Sequence, residues 1–376
     1  GSTNEVNIIA EFDRIGEEGQ SKRYYVQQDK LQEIADLGET DSGDPNVLND
    51  FIEWAADNYP AERYALILWN HGGGWEPSSI DTIAQQVSTK EYSRSEGTER
   101  SGTPLRRAFF RSTMQQIFSL ESPEERAICS DDGSGHSLDT VELGKVLDLA
   151  VAKLGQPLDL LGMDACLMSN LEVAYQARDD VKYIVASEEN EPFDGWPYNS
   201  VLAKLVAEPD IATADFAAHI VDVYINSYAN RDYNVTQTAL DVSKAGQLTQ
   251  PLDELVDALL AHMPDAAFEI WTAQRKTAAK FWHNTLWDIA HFCEMLVQCT
   301  TSEAVKQAAQ QVLKAHEPGA GNFIVAEAHL GEKVEHCGGV TIYLMPPPSE
   351  ISRYYDDLDY STDHRWSALL KAYHQA

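Results

Sequence analysis

Leu158-Asp159-Leu160-Leu161-Gly162-Met163, followed at once by Asp164-Ala165-Cys166-Leu167-Met168, is the stretch on which the fold turns. A short, almost unbroken apolar run of this kind reads as a strand buried on both faces, the pattern of a parallel sheet covered by helices. Tyr64-Ala65-Leu66-Ile67-Leu68-Trp69 reads the same way, and it runs directly into Asn70-His71-Gly72-Gly73-Gly74-Trp75. Tyr183 to Ala186 is a further strand. Between these runs lie helical patterns at Leu138 to Leu154 and Asn170 to Ala177. Upstream, Asp44-Pro45 is a helix start, an N-cap followed by proline at the first helical position. Val47, Leu48, Phe51, Ile52 and Ala55 form the apolar stripe of that helix. Val6 to Phe12 and Tyr24 to Gln28 read as a hairpin-paired couple of strands, and residues 127–131 as another short run. Strand and helix alternating in this way predict an α/β fold with a mostly parallel central sheet.

Working outward, the pattern changes after about residue 240. Residues 247–262, 281–298 and 303–316 read as helices. Phe323 to Ala328 and Val340 to Met345 then read as strands before Pro346-Pro347-Pro348. The expected organisation is a core over residues 3–240, a mainly helical C-terminal subdomain over 241–335, and a terminal strand and helix over 336–376 that pack back on the core. Residues 75–126 lack steady periodicity and carry Arg94, Arg100, Arg106, Arg107, Arg111 and Arg126. So long a stretch inside a compact domain reads as a variable functional loop or a partly disordered segment.

Sixty acidic against 28 basic residues give a formal charge of -32, a field that repels phosphate backbones and argues against nucleic-acid binding. With 43% hydrophobic residues the chain has the means to build a core, and no apolar run is long enough to span a membrane. Cys129, Cys166, Cys293, Cys299 and Cys337 are odd in number and dispersed, which fits reduced thiols rather than a disulfide framework. Gly1-Ser2 without an initiator Met reads as the remnant of an expression tag, which leaves room for a leader upstream. The compartment stays open between cytoplasm and export.

Sites on open α/β sheets form beyond the carboxyl ends of the strands. His71 and Cys166 both sit there, each just past its own buried strand. If those strands are neighbours, the imidazole meets the thiol and favours the nucleophilic thiolate. Gly72 and Cys166 backbone N–H groups would then hold the oxyanion of an acyl-transfer intermediate. A cysteine after an apolar strand is also an ordinary core residue. A His-Gly-Gly-Gly run is likewise the oxyanion loop of some esterases, but these need a Gly-x-Ser-x-Gly elbow that the chain lacks.

Taken together, Leu68-Trp69-Asn70-His71-Gly72-Gly73-Gly74-Trp75 and Gly162-Met163-Asp164-Ala165-Cys166-Leu167-Met168-Ser169 resemble the His and Cys motifs of clostripain-like cysteine peptidases. Further likeness runs along the chain. It includes Asp131-Asp132-Gly133-Ser134-Gly135, Glu172-Val173-Ala174-Tyr175, Ser187-Glu188-Glu189, Asp194-Gly195-Trp196-Pro197-Tyr198 and Gly338-Gly339-Val340-Thr341-Ile342-Tyr343. The resemblance implies a caspase-like α/β/α sandwich and hydrolysis of peptide bonds after Arg or Lys. Proteins or peptides with exposed basic residues would be the substrates. It gives Asp164 the role of the acid that receives the P1 side chain, and Asp194 that of a second acid lining the pocket. A cationic P1 group needs such a carboxylate. The rival readings are a helix cap for Asp164 and a turn residue for Asp194. The resemblance also implies autolytic cleavage between the two motifs, for which Arg106, Arg107 and Arg111 are the candidates. Leu105, Phe109, Phe110, Met114, Ile117 and Phe118 would instead make this stretch an amphipathic helix.

No cofactor is required by a Cys-His mechanism. Asp131 to Glu142 has the length of a calcium loop, but glycines at its third and fifth positions and His136 at its sixth do not fit an EF-hand. Calcium therefore enters only through the calcium dependence of clostripain-like enzymes. The histidines from His136 to His364 show no ligand spacing. Other readings of the chain are a caspase-like hydrolase with another P1 preference and a non-catalytic binding protein on the same scaffold. Nothing fixes the oligomeric state.

Overall fold

The computed structural model describes residues 1–13, 20–69, 72–75, 128–130, 137–192, 194–277 and 285–376. Strands β1 (Ile9–Phe12), β2 (Ser21–Val26) and β3 (Leu31–Gly38) form an antiparallel sheet near the N-terminus. Helix α1 (Pro45–Asn58) follows, its N-cap Asp44 accepting from the Asn46 amide. Then come β4 (Ala65–Trp69), the short hairpin β5 (Ile128–Ser130) and β6 (Ser137–Leu138), and α2 (Thr140–Leu154). A reciprocal capping box between Asp139 and Glu142 starts α2, and left-handed Gly155 stops it.

The central layer is built next. Strands β7 (Leu158–Asp164) and β8 (Val181–Ala186) are joined through α3 (Leu171–Gln176). After α4 (Tyr198–Ala207) and α5 (Thr213–Tyr228) comes β9 (Val235–Asp241). Helices α6 (Gly246–Ala261) and α7 (Asp265–Lys276) precede β10 (Leu286–Asp288), which leads through α8 (Ile289–Cys299) and α9 (Glu303–Ala315) to β11 (Ile324–Leu330). The chain ends with β12 (Thr341–Tyr343), α10 (Asp359–Asp363) and α11 (Trp366–Gln375).

Among the described residues five strands make the central sheet, in the order β11-β9-β8-β7-β4. Pairings β4/β7 and β7/β8 are parallel, whereas β8/β9 and β9/β11 are antiparallel. Among the described strands four point one way and β9 alone runs back, a mixed sheet that keeps the mostly parallel character the sequence predicted. β9 escapes notice because Thr236, Gln237 and Thr238 look like surface residues, yet all three are buried. β11, which lies within the expected helical subdomain, is an edge strand of this sheet.

Alternation along the strands feeds two cores. Leu66, Leu68, Leu161, Met163 and Ile184 face one layer of helices, while Leu160, Val185 and Ala239 face α5 with Phe216, Ile220 and Tyr224. Burial on both faces is what an α/β/α sandwich demands. The helix expected from residue 281 begins only at Ile289. Trp287 and its neighbours pair with β12 instead, and the Asp288 carboxylate caps the helix from the His291 amide. Helices α5 and α7 went unread in the sequence.

Candidate active site

The parallel pairing of β4 and β7 sets Trp69 level with Asp164. The chain leaving β4 therefore emerges beside the chain leaving β7. Gly72 and Cys166 meet there: a Cβ on Gly72 would collide with the Cys166 carbonyl oxygen and come within 3.0 Å of the Cys166 nitrogen. Only glycine allows that approach. Trp75 anchors the far end of the glycine run, buried edge-on against Tyr343 and Tyr355, with its carbonyl accepting from Thr140 Oγ1 at 2.9 Å. His71 lies outside the described residues.

Cys166 is buried at the start of a tight turn. Leu167, next in line, is fully buried with φ +64, the one non-glycine residue with positive φ among those described. A branched side chain held there costs of order 1 kcal/mol, a strain that clusters at functional sites. Two backbone bonds hold the turn, Leu167 N–H to Glu189 O at 3.3 Å and Ser169 N–H to Ser187 O at 2.8 Å. Asn170 then caps α3 by accepting from the Val173 amide. The Glu191 backbone flanks the sulfur: its N–H donates to Cys166 Sγ at 3.3 Å, and its carbonyl lies 4.0 Å from Sγ. A donor on sulfur favours thiolate.

Asp164, the last residue of β7, is also buried. It does not cap α3. Its Oδ2 accepts from the Trp196 amide at 3.1 Å and from the Tyr198 hydroxyl at 2.8 Å. The carboxylate also presses on Gly195, where a Cβ would fall 2.8 Å from Oδ2, and Gly195 has φ +60. Gly162, two residues upstream, leaves room for the Trp196 ring, whose Cη2 would stand 2.8 Å from a Cβ there. Asp194 stands apart from this nest. It is exposed and ion-paired with Arg231, whose guanidinium also lies 5.2 Å from the centre of the Tyr228 ring.

The sequence reading passed over Glu191. Its side chain is buried beside the Asp164 carboxyl, and Trp196 Nε1 lies 3.5 Å from its Oε1. Burial, then the neighbouring Asp164 charge and hydrogen bond, hold its carboxyl well above the usual range. The signal lay in the Ser187-Glu188-Glu189 and Asp194-Gly195-Trp196 motifs, which bracket it. Glu188 is buried as well, with Oε2 accepting from the Gly339 amide at 2.8 Å. Arg106, Arg107 and Arg111 lie outside the described residues, as does the start of the possible calcium loop at 131–136. Among the described residues no group of three or more His, Cys, Asp or Glu is arranged to hold a metal ion.

The clostripain family model matches residues 1–96 and 117–373, so the chain belongs to the clostripain family of cysteine peptidases. Clostripain from Hathewaya histolytica is 30% identical over 177 residues, which span 45% of this chain and 26% of that protein. The chain thus matches about a quarter of its curated relative's length. Among solved structures, a secreted C11 cysteine protease from Bacteroides thetaiotaomicron, bound to an irreversible peptide inhibitor, superposes with a TM-score of 0.64. It is 17% identical, over 96% of this chain and 89% of that one. An inactive zymogen C11 protease from Parabacteroides distasonis gives 0.61 and 17%, over 95% and 87%. These likenesses establish the α/β/α fold that the motif resemblance implied.

Proposed function

We propose that this chain is a cysteine endopeptidase that cleaves after Arg or Lys. Cys166 Sγ attacks the scissile carbonyl carbon, and His71 carries the thiol proton to the leaving amine. Water then hydrolyses the thioester, returning the thiol. The Gly72 and Cys166 amides receive the oxyanion. Asp164 takes the P1 cation, with Asp194 at the rim. One observation carries this reading: a buried carboxylate two residues before a cysteine whose backbone is wedged against the glycine run following the His motif. A buried carboxylate beside the nucleophile repels an acidic P1 group, which disfavours the caspase-like alternative. A thiol-directed peptide probe with Arg at P1 should label Cys166 and nothing else. Mass spectrometry of a digested mixed peptide library should place Arg or Lys before the cuts. Labelling at another cysteine, or a library cut after Asp or Leu, refutes the reading.

Self-processing is a finer part of the same proposal. The family match passes over residues 97–116, the segment that contains Arg106, Arg107 and Arg111. A stretch the family does not share tolerates cleavage better than one that builds the core. Active protein should split after an arginine between residues 75 and 126, while Cys166→Ala stays intact. An active enzyme that remains one 41.8 kDa chain excludes it.

A further inference from the structure

Glu191 touches the nucleophile and the P1 acid at once. Its backbone N–H reaches Cys166 Sγ at 3.3 Å, and its carboxyl is buried beside that of Asp164, with Trp196 between them: the Trp196 main-chain N–H donates to Asp164 Oδ2 and its indole Nε1 lies 3.5 Å from Glu191 Oε1. Two carboxyls hydrogen-bond only when one of them carries a proton. The partners decide which. Asp164 Oδ2 already accepts from the Trp196 amide and the Tyr198 hydroxyl, so two donors are committed to it. Glu191 Oε2 is buried and meets no donor among the described residues, and Oε1 has only the long contact to the Trp196 indole.

Among the described residues, the titratable groups near Glu191 are Asp164 and Cys166 from β7 and its turn, Tyr198 from α4, and Tyr224 and Tyr228 from α5. None of these is cationic, and Arg231 beyond Tyr228 is engaged by Asp194. Nothing among them rewards a second negative charge.

We propose that Glu191 is a positioning residue whose protonated carboxyl donates to Asp164, fixing that carboxylate for the P1 side chain and leaving the pair one negative charge. A single charge matches a single guanidinium or ammonium group, so the pocket neutralises its guest without a surplus buried charge. The inference rests on Asp164 being the P1 acid.

Steady-state kinetics of wild type, Glu191→Ala and Glu191→Gln, with peptides carrying Arg or an uncharged alkyl group at P1, test it across pH. Glu191→Ala should raise KM for the Arg peptide about tenfold or more, because the acceptor loses its donor, with a smaller change in kcat. The alkyl peptide should be much less affected. Glu191→Gln keeps a donor in the same place and should recover most of the loss. Its KM should also lose the pH dependence that ionisation of Glu191 gives the wild type. Equal losses with both peptides, or a Gln variant as impaired as the Ala variant, would overturn the proposal.

Infrared difference spectra of wild type against Glu191→Gln at neutral pH give a second reading that needs no substrate. A protonated-carboxyl band lost in the variant supports the proton on Glu191, and its absence from the wild type refutes it. A wild type with no preference for basic P1 residues would sink the parent reading and this pair's P1 role together. The infrared band would then still report separately where the proton sits.

Discussion

Two carboxyl pairs hang from one loop, three residues apart, and only one of them faces a nucleophile. Glu188 is buried, accepts from the Gly339 amide and lies beside Asp288, which itself accepts from the Gly338 and His291 amides. Glu191 is buried beside the Asp164 carboxyl. Both glutamates are held well above the ordinary carboxylate range, first by burial and then by the partner's charge. Their neighbours differ. The first pair grips two successive glycine amides and ties the loop after β8 to the C-terminal strand region; the second lies against Cys166 Sγ through the Glu191 amide. A perturbed acid therefore does not mark a site by itself. What it touches does.

Cys166→Ala or His71→Ala tests the side of this contrast that faces the chemistry. Either should lower turnover of an Arg peptide by orders of magnitude, because nucleophile and base act as a unit. Thermal unfolding of both should stay close to wild type. A Cys166→Ala enzyme with near-normal activity would erase the distinction between the two pairs.

Asp164→Ala comes next. Removing the buried partner of a P1 charge should cost about 2–5 kcal/mol in kcat/KM for Arg peptides. Asp288→Ala, the matching change in the other pair, should leave the preference for Arg over alkyl P1 untouched in the folded fraction. Equal loss of preference in both variants would break the comparison.

A third buried acid tests what proton uptake contributes to stability. Glu172 accepts from the Tyr343 amide at 3.0 Å and the Tyr355 hydroxyl at 2.9 Å, and burial pushes its carboxyl up to about 7. A carboxyl raised on folding binds more protons in the folded state. Its contribution is thus full below the unfolded value and is lost as pH rises towards about 7. The contribution at stake is about 3 kcal/mol. Glu172→Gln, neutral at every pH, should flatten the fall in urea midpoint between about pH 5 and about pH 8. A variant with the wild-type slope would show that Glu172 does not titrate in that window.

Glu188→Ala should be milder. It leaves the Gly339 amide without its acceptor, at about 1–3 kcal/mol of stability. Chemical denaturation measures that loss, and active-site titration should find normal turnover per folded molecule.

Much of this arrangement was legible in the sequence, and the exceptions have physical causes. The strands Leu158–Asp164 and Ala65–Trp69 announce themselves because burial on both faces leaves an unbroken apolar run. Asp44-Pro45 and the Asp288 cap show how differently helix starts read: the first stands out by its proline, while the second hides inside a longer apolar stretch that begins as a strand. β9 was invisible because Thr236, Gln237 and Thr238 are buried polar residues whose partners lie far along the chain. Thr236 Oγ1, for example, accepts from the Glu188 and Glu189 amides. Glu191 was missed for the same reason. Its meaning comes from Asp164, on another strand, and no local spacing carries that.

The smallest expected effect falls on Asp194, where the outer rim of the proposed pocket meets solvent. Its carboxylate is 64% exposed and already engaged by Arg231. An exposed ion pair is screened by water and contributes little, so a P1 guanidinium gains little by replacing one arginine with another. Asp194→Ala should therefore change kcat/KM for Arg peptides by less than about tenfold, well below the effect of Asp164→Ala. Arg231→Ala separates the two roles open to the rim acid. If Asp194 serves substrate, releasing it should lower KM for Arg peptides, and more at low than at high ionic strength, since long-range attraction is screened by salt. If Asp194 serves only to hold Arg231 over the Tyr228 ring, both single variants should shift the unfolding temperature together and leave KM alone. A loss in Asp194→Ala as large as in Asp164→Ala would mean that the substrate breaks the surface pair on binding. The boundary between buried and exposed acids would then no longer mark the edge of the pocket.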